Sequence, residues 1–226
     1  MPASSTPPGG GNPRRSELAD LLVRLPRLVV GLALFGAGLA LIVRGGFGQG
    51  PWTVFHEGVS IRTPLSIGTA TIATGALIVG IVLGFREPIG VGTIANVVVI
   101  GLSTDATLAL VDRPDGTLTR AGLTLVAPLL VAIGSGLYLG ARLGPGPRDG
   151  LMTGLNKRGV PIWKARFGIE AVPFTLGFLL GGTIGLGTVW WLLVIGPAVQ
   201  VSMAVFDRKL PESAWSDITR RDLTRN

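Results

Sequence analysis

The chain has no cysteine, a single histidine (His56) and little charge, with only 15% of its 226 residues being Asp, Glu, Lys or Arg. Without cysteine there are no disulfides and no thiolate metal sites, and the compartment stays open. A lone histidine cannot build a metal centre, so neither a metal nor a cofactor is expected. Windows of alternating polar and apolar residues are also missing, which argues against a β-barrel. What is present is apolar: 47% of residues are hydrophobic and the mean hydropathy is +0.56. Most charges lie outside long apolar runs, the pattern of a polytopic membrane protein whose first partner is the lipid bilayer. The net charge of +7 does not point to nucleic acid. The basic residues flank the apolar runs, where positive charge orients helices.

Six apolar stretches, at 27–44, 65–84, 93–111, 121–141, 166–183 and 188–206, approach the ~20 residues that cross ~30 Å of hydrocarbon. Residues 1–26 read as a cytoplasmic N-tail, disordered in its Pro/Gly/Ser-rich part and then amphipathic behind Ser16, with Leu18, Leu21, Leu22 and Leu25 on one side. No small-x-small site follows Arg14-Arg15, so a cleaved export signal is not expected. Residues 207–226 are polar, broken by Pro211, and read as a cytoplasmic C-tail. With the N-terminus inside, only Arg44, Arg62, Arg113 and Arg120 of the 20 Lys and Arg residues fall outside. That bias favours a plasma-membrane protein with both termini in the cytoplasm.

The chain repeats itself. Gly48-Gln49-Gly50-Pro51 returns as Gly144-Pro145-Gly146-Pro147, and Ile89-Gly90-Val91-Gly92-Thr93 returns as Ile184-Gly185-Leu186-Gly187-Thr188. Val97-Val98-Val99-Ile100-Gly101 returns as Leu192-Leu193-Val194-Ile195-Gly196. The expected fold is therefore an all-α membrane protein of about six transmembrane helices. Two three-helix repeats, 27–111 and 121–206, are joined by an external loop at 112–120. An odd number of spans per repeat inverts the second relative to the first, a plan used by secondary transporters. Each Gly-x-Gly-Pro precedes about ten residues of mixed character, enough for a half-helix of ~15 Å. Glycine permits the turn and proline suits the first helical position, so Gly48, Gly50, Pro51, Gly144, Gly146 and Pro147 form the loop motif. Whether these half-helices re-enter the membrane or lie flat at its surface stays open. No strand precedes the glycines and no Gly-Lys-Ser/Thr follows, which excludes nucleotide loops.

Ionisable residues within spans are costly and mark solute or ion pathways. Asp105 is the most deeply placed acid by sequence, and Gln200 is its counterpart in the second repeat. Glu170 lies four residues after Arg166, on the same helix face. Arg148 and Asp149 follow the second glycine turn, at a helix N-terminus able to attract an anion. These six residues are the pathway candidates. His56 is expected to be interfacial and non-catalytic. Trp52, Trp163, Trp190 and Trp191 read as an aromatic belt.

Gly48-Gln49-Gly50-Pro51-Trp52, Leu65-Ser66-Ile67-Gly68-Thr69, Ile89-Gly90-Val91-Gly92-Thr93, Gly146-Pro147-Arg148-Asp149-Gly150-Leu151-Met152 and Ile195-Gly196-Pro197 with Gln200 together resemble the YczE/YitT-like family of bacterial integral membrane proteins. The resemblance covers about residues 27–206 and implies a multi-span inner-membrane protein. One departure is Thr53, where the family often has an acid after the Trp. The sequence favours a permease for a small, unidentified solute, with proton coupling through Asp105. The alternative is a non-transporting scaffold or accessory subunit, and a homo-oligomer or membrane-protein partner fits either. Without a convincing nucleophile or acid–base pair, no enzyme activity is expected.

Overall fold

The computed structural model describes residues 13–207, with side chains placed from 21 to 206. Most of the expected N-tail's first part and nearly all of the C-tail lie outside the described residues. Among the described residues, eight helices follow one another: α1 Pro13–Gly45, α2 Pro51–Arg62, α3 Ile67–Gly84, α4 Val91–Leu110, α5 Thr117–Gly140, α6 Pro147–Asn156, α7 Ile162–Leu180 and α8 Leu186–Asp207. The order long, short, long, long occurs twice. α1 runs unbroken through Pro26 into the first apolar stretch, so residues 13–26 continue that helix.

Among the described residues, five helices are long and apolar enough to cross a membrane: α1 from Leu21, α3, α4, α5 and α8 to Phe206. The remaining expected stretch, 166–183, is α7, 19 residues long, whose first turns carry Lys164, Arg166 and Glu170. The helix ends follow local chemistry. Ser66 caps α3 by accepting from the Thr69 N–H at 3.0 Å. Pro51 and Pro147 open α2 and α6, where their missing N–H costs nothing. Gly181 closes α7 in the left-handed conformation, φ 96°.

α1 and α5 form the central pair, flanked by α4 on α1 and by α8 on α5. Glycines bring the pair close: a Cβ on Gly31 would stand 2.8 Å from the Gly134 carbonyl oxygen, and one on Gly134 2.5 Å from that of Gly31. Backbone approach of this kind replaces the hydrophobic drive that lipid does not supply. Leu28, Leu32, Leu39, Ile42, Val131 and Tyr138 fill the seam, with Ile100 and Trp191 closing it from α4 and α8. α2 is an interior element rather than a helix lying flat on the outside. It packs between α7 and α3, with Val54 and His56 almost wholly buried.

The two glycine loops are seated reciprocally. Gly187 N–H donates to the Phe47 carbonyl (2.7 Å), and Gly92 N–H donates to the Leu143 carbonyl (2.8 Å). The threonines repeat the exchange: Gln49 N–H donates to Thr188 Oγ1 (3.0 Å), while Thr93 Oγ1 donates to the Pro145 carbonyl (2.6 Å). Each loop from one half therefore caps the last helix of the other.

Candidate functional site

A cavity of about 220 Å³ opens where the two halves meet, lined from α1 through α7. Its apolar wall is Phe35 and Leu39 of α1, Ile78 of α3, Val97 and Ile100 of α4, and Ile169 of α7. Its polar wall is the start of α6 (Gly146, Arg148, Asp149), with Trp52 and His56 of α2, Asn96 of α4, Tyr138 of α5 and Arg166 and Glu170 of α7. In a protein this apolar, four charged side chains on one small cavity need a reason.

The α6 N-terminus owes its position to the Gly144-Pro145-Gly146 turn. Gly144 sits at φ 130°, where an L side chain is strained, and a Cβ there would stand 2.9 Å from Gly90 Cα. From this turn the Arg148 side chain reaches α2. There the Arg148 guanidinium lies over the Trp52 ring, 4.2 Å from its centroid. A cation over an indole face gains electrostatic attraction while giving up water. Burial pushes the Arg148 guanidinium down to about 10, against the pull of Glu170, Tyr138 and Asp149, so it keeps its charge at neutral pH. Asp149 is exposed at the cavity's open end, as is Arg166. Enough protein surrounds Asp149 that lost hydration raises its carboxyl. Arg148, Arg166 and a backbone bond at Gly146 oppose that rise.

His56 is 1% exposed, and its Nδ1 lies 3.0 Å from Thr71 Oγ1. Desolvation, then the positive charge of Arg148, lower its pKa to about 3, so the imidazole is neutral at any physiological pH. Its other nitrogen, Nε2, is buried without a protein partner, as is the indole Nε1 of Trp52. Buried polar atoms in native proteins are almost always satisfied, so two orphans on one cavity mark a place for something else.

The second glycine loop has a counterpart that is not open. By the spacing of the two Ile-Gly-x-Gly-Thr motifs, Asn96 of the first half corresponds to Trp191 of the second. At Gly50, the Trp191 indole fills the space, and a Cβ would meet it at 2.5 Å. At Gly146 the nearest atoms are Tyr138 Oη, Asp149 and Asn96, the last at 3.7 Å. One helix N-terminus is plugged and the other faces a cavity.

The structure thus brings Arg148, Asp149, Arg166 and Glu170 to one cavity, although only Arg166–Glu170 and Arg148–Asp149 are neighbours in sequence. It places Asp105 and Gln200 elsewhere. Asp105 accepts from the Ser66 hydroxyl (2.5 Å) and the Gly68 N–H (2.8 Å), holding the start of α3. Gln200 is exposed on α8. Of the loop motif, Gly146 and Pro147 line the cavity, whereas Gly48, Gly50, Pro51 and Gly144 shape the reciprocal loops. Sequence reasoning missed Trp52, His56, Asn96 and Tyr138. His56 is buried inside the protein on α2 rather than at its surface. The available signal was Trp52 and His56 one turn apart after a glycine turn, and an Asn opposite a Trp in the repeat.

A family model described as a family of unknown function, DUF6198, matches residues 22–204. The chain belongs to that family. A Bacillus subtilis (strain 168) relative, "Uncharacterized membrane protein YczE", is 31% identical over 190 residues, covering 81% of this chain and 87% of its own. An "Uncharacterized protein" of Haemophilus influenzae is 36% identical over 182 residues, covering 80% of this chain and 84% of its own. The family resemblance read from the glycine motifs is therefore established as YczE-like, and the chain is a membrane protein. No solved structure matches.

Proposed function

We propose that this protein is a plasma-membrane permease for a small polar solute, bound in the cavity between two inverted repeats. The carrying observation is the cavity itself: charged, lined from both halves, and ended by a half-helix N-terminus. Matched element order and reciprocal loop contacts support the duplication, and alternating access by movement of one repeat against the other follows from that plan. With both termini in the cytoplasm, α6 and the first turns of α7 lie on the cytoplasmic side, and the exposed Asp149 and Arg166 mark an inward-facing opening. Proton coupling is not assigned to Asp105, whose carboxylate is engaged at the α3 cap.

Sealed vesicles carrying the purified protein, offered a mixed panel of small metabolites, test this reading. Asn96→Trp places an indole where Trp191 sits in the other half and should cut uptake by at least tenfold, while Asn96→Ala should retain it. Uptake unaffected by Asn96→Trp would remove the cavity from the pathway.

A second reading, a non-transporting scaffold or accessory subunit, has one observation in its favour. Only 11% of the apolar window of α8 is buried, against 50% for α1 and for α5, and its open face carries Gln200 beside Val201 and Met203. An amide facing hydrocarbon gains from a partner helix. Loss of a co-purifying partner or of self-association in Gln200→Leu, with no flux in any variant, would favour it.

A further inference from the structure

We infer that the cavity takes a small zwitterion, with an N–H of its cationic end on His56 Nε2 and its carboxylate against Trp52 Nε1 and Arg148. This deepens the permease reading and rests on it only where transport is concerned.

The inference starts at Thr71. Its hydroxyl has one hydrogen, and the α3 geometry directs it to the Ile67 carbonyl oxygen at 2.8 Å. The 3.0 Å contact with His56 Nδ1 must then be filled from the other side, by an Nδ1–H donating to Thr71 Oγ1. A neutral imidazole protonated at Nδ1 has a lone pair at Nε2. That atom is buried without a partner, so the orphan at the back of the cavity is an acceptor. Trp52 Nε1 is its complement, since an indole N–H can only donate, and it too is buried without a partner. The site therefore asks for a donor and an acceptor on one ligand.

The charges ask the same. Arg148 and Arg166 face the cavity together with Asp149 and Glu170, so the lining is formally neutral. Among the described residues these four close no salt bridge with one another, whereas Lys157 and Glu87 do pair, at 2.9 Å. An anion alone would leave the His56 lone pair and the less exposed Glu170 carboxylate without a match. A cation alone would leave the indole N–H and the Arg148 guanidinium. An apolar solute would satisfy none of them. The apolar wall of Phe35, Leu39 and Ile100 suits a short hydrocarbon body.

Binding is read as a shift in thermal unfolding of the full-length protein in detergent, and flux in sealed vesicles, so the two readings fail separately. β-Alanine and proline carry both groups, propionate and propylamine one each, and trimethylglycine has both charges but no N–H. β-Alanine or proline should raise the unfolding temperature in a concentration-dependent way. The other three should need at least tenfold higher concentration for the same shift. Thr71→Val frees the imidazole tautomer and should weaken the zwitterion several-fold, and Thr71→Ser should restore it, which a general loss of folding would not do. Equal shifts from propionate and β-alanine, or none from either zwitterion, overturn the inference. Flux of a non-zwitterionic metabolite blocked by Asn96→Trp also overturns it, yet leaves the permease standing. Zwitterion binding without flux keeps the inference and removes the permease.

Discussion

The Asp105 carboxylate lies five residues before the end of α4, about 8 Å along the helix axis, and it meets the first turn of α3. Its two oxygens take the Ser66 hydroxyl and the Gly68 N–H, while Ser66 in turn accepts from Thr69. This is an N-cap extended across two helices: an acid beside unpaired N–H groups at the positive end of a helix. Asp105→Ala should strand the Gly68 N–H and lower stability by about 0.5–2 kcal/mol, the usual range for a lost cap. Asp105→Asn should recover most of that, because an amide oxygen can still accept. Thermal unfolding of the two variants distinguishes them; equal losses would mean that the hydrogen bond contributes nothing. Depth along the sequence misled here. A residue's place within an apolar run says how far it lies from one end of its own helix, but not which helix end lies beside it.

At the scale of elements, most of the architecture was visible in glycine and proline. Gly-x-Gly-Pro marked the two short helices, and Ile-Gly-x-Gly-Thr marked the starts of α4 and α8, because each of those glycines admits a neighbouring backbone where a side chain would clash. What was hidden was the exchange between the halves, since hydrogen bonds between residues 51 and 140 positions apart leave no periodicity. The divergence between α2 and α6 was hidden for the same reason. Asn96 and Trp191 acquire meaning only when a Cβ-free Gly146 or Gly50 lies beside them. Gly48→Ala and Gly144→Ala should each suffer twice, from a left-handed φ (109° and 130°) and from collision with the opposite half. Gly159→Ala, at φ 90° with nothing within 4 Å of its Cβ, should lose only the conformational part, about 1–2 kcal/mol. Unfolding temperatures should therefore fall further for the first two. Similar losses at all three positions would show that the loop contacts carry no weight.

For the whole molecule, the absence of cysteine is an experimental gift, because a single introduced thiol has no background. Thr117→Cys, at the start of α5, should react with an impermeant maleimide in intact cells. Lys157→Cys, after α6, should react only once the membrane is opened, as should Ser213→Cys in the C-terminal segment. External labelling at Lys157→Cys would put α6 on the wrong side and end the inverted-repeat reading. Charge counting could propose this orientation, but an all-helical bundle of eight elements looks the same from either side without a bilayer around it.

The reciprocal seating of the two loops also imposes an order of events on biosynthesis. The Gly92 N–H at the start of α4 waits for the Leu143 carbonyl, and the Phe47 carbonyl after α1 waits for the Gly187 N–H. A ribosome that has delivered only the first four helices has thus made main-chain groups whose native partners do not yet exist. The first half cannot complete these contacts on its own. They close only when the second glycine loop and the start of α8 arrive, so the chain completes itself only after nearly all of it has been made.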